Sequence, residues 1–179
     1  MGNFLEKIDS IRDAYKAGFY EPALALALTI PDICANVEQP TEESVTKRYI
    51  DWCNTHIFTG QATDIDVKFT GAALYQLRCH FLHNGDSEIF KNDGRPWTQV
   101  DIREFDLMEP KDGSGTGLMF QIMTFKDTDT GEIIYKAKTN LRYIIDIICD
   151  CAEEFYDSWP NKSDFDDHVV NLLKYSSKL

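Results

Sequence analysis

The stretch Thr70 to Gly85, TGAALYQLRCHFLHNG, decides how the rest of the chain reads. Leu74, Leu77, Arg78, Phe81 and Leu82 recur at helical spacing, Thr70 stands where an N-cap belongs, and Asn84-Gly85 is a stop signal. The pattern predicts one core helix that closes on a histidine. Its last two turns hold Arg78, Cys79, His80 and His83, a run of polar chemistry that most buried helices lack.

Working outward, Phe4, Ile8, Ile11 and Tyr15 define a first amphipathic helix ended by Gly18. Pro22 suits the first turn of a second. Ala23 to Leu28 alternates with period two, as a strand would, but alanine's propensity favours a buried helix, bent or broken near Pro31. Thr41 with Glu42 and Glu43 forms an N-terminal signature for a third helix, whose face carries Val45, Tyr49, Trp52, Cys53 and His56. Gly60 to Phe69 is a polar connection into the Thr70 helix.

Beyond Gly85 the texture changes. Asn92 to Pro96 is turn chemistry, and Ile102 to Met108, Leu118 to Phe125 and Glu132 to Lys138 read as strands. The glycine-rich run Asp112 to Gly117 and the turn Asp127 to Gly131 join them, and the simplest topology is an antiparallel meander. Thr139 or Asn140 then caps a long helix with a stripe of Leu141, Ile144, Ile148, Cys151 or Ala152, Phe155 and Trp159, which Pro160 ends. Ser163 with Asp166 is a capping-box variant, and Val169, Leu172 and Leu173 give the last helix its apolar side. The expected fold is mainly α: a bundle of five or six helices in a single domain over 1–179, with a small antiparallel β-meander insertion over 86–138.

Composition bounds the function. The chain's 179 residues are 43% hydrophobic, enough for one packed core, with no linker dividing it. Ile144-Ile145 and Ile147-Ile148 are interrupted by Asp146 and Asp150, so no membrane span is expected. Glu6 and the lack of an apolar leader argue against a secretory signal, which makes a cytoplasmic location the expectation. Five scattered cysteines (Cys34, Cys53, Cys79, Cys149, Cys151) read as reduced thiols rather than a disulfide scaffold. The formal net charge of -12 opposes general nucleic-acid binding, which needs a basic footprint. A local basic groove around Arg78 is compatible with it.

The spacing Arg78-Cys79-His80-Phe81-Leu82-His83, Arg-x4-His near the end of a helix in a helical chain, resembles the HEPN superfamily. The resemblance covers the helical parts and not residues 86–138. It implies a helical bundle that dimerises, and a metal-independent endoribonuclease of the defence or toxin type, with RNA as substrate and an antitoxin or other protein as partner. In that reading Arg78 and His83 are the catalytic pair, pooled across a homodimer seam, with His80, Cys79 and Asn84 in support. Cleavage through the RNA's own 2'-hydroxyl needs a proton shuttle and a cation beside the phosphate, and histidine and arginine supply them. Five residues turn about 140° around a helix axis, so the two share a face only if the helix ends there. The family's polar residue after the arginine, often Asn, is Cys79 here.

Other readings stand beside that one. Arg78 pairs structurally with an acid such as Asp146 or Glu153 and His83 caps its helix, leaving a non-catalytic HEPN-like module that binds a nucleotide or protein. Cys53-x-x-His56 and Cys79-x3-His83 place soft ligands near helical register but lack the Cys-x-x-Cys core of a zinc module. The glycine-rich run lacks the Lys of a phosphate loop, and Asp127 to Lys138 lacks the twelfth-position Glu of a calcium loop. No metal or cofactor is expected.

Overall fold

A computed structural model describes residues 3–59, 69–84, 102–108, 120–126, 128, 131, 133–166 and 168. Among them are six helices of at least eight residues: α1 (Asn3–Lys16), α2 (Tyr20–Ala27), α3 (Ile30–Glu38), α4 (Val45–Trp52), α5 (Gly71–Asn84) and α6 (Leu141–Ser158). A single short turn, α7 (Ser163–Asp166), follows, and α4 runs on into a π-helical stretch, Cys53–Ile57. Three strands, β1 (Ile102–Met108), β2 (Phe120–Lys126) and β3 (Ile133–Asn140), form one sheet. No described helix is long and apolar enough to cross a membrane.

The helices form where their apolar spacing and caps direct. Phe4, Ile8 and Ile11 of α1 are fully buried, and Gly18 takes the positive φ that follows the helix. The Ala23 to Leu28 run is helical and breaks before Pro31, which sits in the first turn of α3. The cap of α4 is Ser44 rather than Thr41: Ser44 is extended, and its hydroxyl accepts from the Lys47 amide at 3.2 Å. Asn140 caps α6 by accepting from the Arg142 amide at 2.9 Å. Ala152 rather than Cys151 takes the buried position on the α6 stripe. Ser163 bonds the Asn161 side chain instead of closing a capping box, while Val169, Leu172, Leu173, the 60–68 connection and the glycine-rich loop lie outside the described residues.

The sheet corrects the antiparallel meander. Strand order is β1-β3-β2, with β3 central, parallel to β1 and antiparallel to β2. Charge and burial explain the order. On the outer face, register sets Glu104 beside Lys136 and Asp106 beside Lys138, and both pairs form ion pairs. On the inner face Phe105 lies opposite Ala137 and both are buried. In a meander β1 would lie beside β2, whose one cation is Lys126 at the end of the strand.

The core joins both parts. Phe69 links Phe58 at 4.9 Å to Phe105 at 5.2 Å, so an aromatic row runs from the π-helical turn to the sheet. The start of α5 sits tightly against α4. The Gly71 amide donates to Asn54 Oδ1 at 2.8 Å, and a Cβ on Gly71 would lie 2.4 Å from the Ile50 carbonyl oxygen. Thr70 caps the helix, its hydroxyl accepting from the Ala73 amide at 3.3 Å.

Candidate functional site

Arg78 leaves α5 on the side facing α3 and α4. Its Nε donates to Asp32 Oδ2 at 2.7 Å, with 19% of the Arg78 side chain and 23% of the Asp32 side chain accessible. The guanidinium carbon lies 5.7 Å from the Tyr49 ring centroid and 5.8 Å from that of Tyr75, so two aromatic rings flank the cation. Tyr49 is fully buried and donates to the Leu28 carbonyl at 3.2 Å, and the Thr46 hydroxyl donates to the Tyr75 oxygen at 2.8 Å. These contacts fix the walls around Arg78. The expected acids, Asp146 and Glu153, are engaged instead by Arg142 at 3.1 Å and Arg12 at 2.9 Å.

Next to the ion pair is a cleft of about 350 Å³ lined by Asp32, Asn36, Arg48, Tyr49, Arg78 and His168 among others. Arg48 comes from α4 and donates to the Glu42 carbonyl. The Asn36 amide nitrogen is 3.0 Å from His168 Nδ1, which ties the chain after α7 to α3. Two guanidiniums against one carboxylate leave the cleft one positive charge in excess, within a chain of net charge -12.

Electrostatics here are set by burial. Loss of solvent pushes the Asp32 carboxyl above its usual range, and the charges of Arg78 and Arg48 pull it back only in part. Burial is the largest single influence on Arg78 and opposes its charge, but the attraction and hydrogen bond of Asp32, added to the influence of Tyr49 and Cys79, together hold the guanidinium proton more tightly than usual. Burial likewise pushes the Tyr49 phenol well up, so that group stays a neutral donor.

The other residues singled out in the sequence are spread around α5. His83 is exposed one residue before the helix ends, and α5 is continuous from Arg78 to Asn84. The pair is therefore separated by about 140° of rotation and roughly 7.5 Å of rise. Within one chain the two do not share a face. Cys79 is half-buried, its sulfur 3.9 Å from an Arg78 nitrogen, His80 is half-buried, and the Asn84 side chain lies outside the described residues. Cys53 is fully buried while His56 turns to Glu38 at 2.9 Å. No group of three or more His, Cys, Asp or Glu side chains among the described residues is placed to hold a metal.

Asp32, Asn36, Arg48 and His168 carried no motif. Asp32 offered one weak signal, an acid in the first turn after Pro31, which helix-dipole preference alone accounts for. No protein-family model, curated protein or solved structure matches the chain.

Proposed function

We propose that this chain is an HEPN-like helical module that binds an anionic, phosphate-like group in the Arg78 cleft, without chemistry by Arg78 and His83 of one chain. The observation that carries the reading is that Arg48 and Arg78 line one cleft of about 350 Å³, with Asn36 and His168 beside them. Arginine forks suit phosphate oxygens, and a cleft of this size lies within the range of small-ligand sites. Binding to the folded state alone raises stability by about 2.7 kcal/mol at a ligand concentration 100 times Kd. For a chain of this length that is a melting shift of about 5–10 °C. Inorganic phosphate at constant ionic strength is expected to give such a rise, and Arg48→Gln to abolish it. No shift with phosphate up to tens of millimolar rejects the reading.

The endoribonuclease is the second reading, favoured by the exposure of His83 at the end of α5. It needs a homodimer in which a second copy presents its His83 to the Arg78 cleft. RNA cleavage in EDTA by the parent chain, Arg78→Ala and His83→Ala decides it, with light scattering to establish the dimer. Loss of activity in both folded variants supports catalysis, and equal inertness of all three proteins removes it.

A further inference from the structure

The Asp32 carboxylate is half used. Oδ2 accepts from Arg78, but Oδ1 is buried and has no hydrogen-bond partner among the described residues. A buried acceptor on a charged group is seldom left unpaired, so this oxygen has capacity for a further donor. Asp32 lines the same cleft as Arg48 and Arg78. Inorganic phosphate has a P–OH to donate, but it brings its full negative charge against the carboxylate, and the dianion of a phosphate monoester has no P–OH at all. An alcohol hydroxyl supplies the donor without adding charge.

Resting on the anion-binding reading above, we infer that the cleft takes a phosphorylated polyol: a phosphate monoester held by Arg48 and Arg78 whose hydroxyl donates to Asp32 Oδ1. The cleft is roomy enough for a carbon chain beside the phosphate, at about 350 Å³. Asp32 is then the residue that selects hydroxylated over plain alkyl phosphates, and the arginines supply affinity common to both.

Titration calorimetry on the full chain with glycerol 3-phosphate, n-propyl phosphate and inorganic phosphate tests this. The two organic esters have similar size and charge and differ in their hydroxyls. Glycerol 3-phosphate is expected to bind at least about tenfold tighter than n-propyl phosphate, in line with a hydrogen bond to a charged acceptor. In Asp32→Asn, checked for folding by circular dichroism, the ratio is expected to fall toward one. Should that variant not fold, the ratio in the parent protein decides alone. Equal affinity for the two esters overturns the polyol inference and leaves the anion cleft standing. Absence of binding by all three ligands overturns both.

Discussion

Replacing Arg78 with Gln removes the charge and the guanidinium fork, and leaves only a neutral amide donor in place of the Nε that bonds Asp32 at 2.7 Å. A hydrogen bond to a charged group contributes about 1.5–3 kcal/mol, and breaking a fully buried ion pair costs about 3–5 kcal/mol. Both side chains keep about a fifth of their surface accessible, 19% and 23%, so the lower range applies and the expected loss is about 2 kcal/mol at pH 7. In a chain of this length the melting temperature falls by about 4–8 °C. The loss should also depend on pH. Burial already raises the folded Asp32 carboxyl above the unfolded value of 3.8, and Arg78 opposes that rise. Without Arg78 the folded carboxyl binds its proton more strongly still. A raised folded pKa contributes stability that is full below the unfolded pKa and lost as pH climbs through the folded one. The Arg78→Gln penalty should therefore be largest at pH 7 and shrink as pH is lowered toward 4. Urea unfolding at several pH values, with Asp32→Asn and the double variant completing a cycle, measures it. A penalty that is the same at every pH, or single effects that simply add, would refute the coupling.

Two further outcomes test the fold. Gly71→Ala should destabilise the chain by about 2 kcal/mol in urea unfolding, because the new Cβ would meet the Ile50 carbonyl oxygen at 2.4 Å, and the gain in helix propensity is at most about 1 kcal/mol. Unchanged stability would mean that α4 and α5 are not held this closely. Burial pushes the Cys149 thiol up to about 12 and the half-buried Cys151 thiol up to about 11. Alkylation needs the thiolate, so iodoacetamide at pH 8 should leave both unmodified in the folded protein, as read by peptide mass spectrometry. The Cys151 rate should rise about tenfold per pH unit until it ionises. Rapid labelling of Cys151 at pH 8 would contradict its environment.

Local chemistry made much of this architecture legible. The 4-3-4 spacing of Phe4, Ile8, Ile11 and Tyr15, the break before Pro31, the Asn140 cap and the three strands each depend on residues close in sequence. The helical core segment ending in Arg78 to His83 was legible for the same reason. Even the strand order had a trace in the sequence, since the acids Glu104 and Asp106 match the spacing of Lys136 and Lys138.

By itself the sequence determined the apolar side of the long helices and some of their ends, such as the break before Pro31 and the Asn140 cap, because periodicity and capping act within a few residues. Only tertiary structure decided that Arg78 meets Asp32 across 46 positions, that Arg48 and His168 share their cleft, and that His83 is left on another face. The physical reason is that an amphipathic pattern states that a face is buried without stating against what. An ion pair between distant helices depends on how those helices pack, and that choice is made by the whole core.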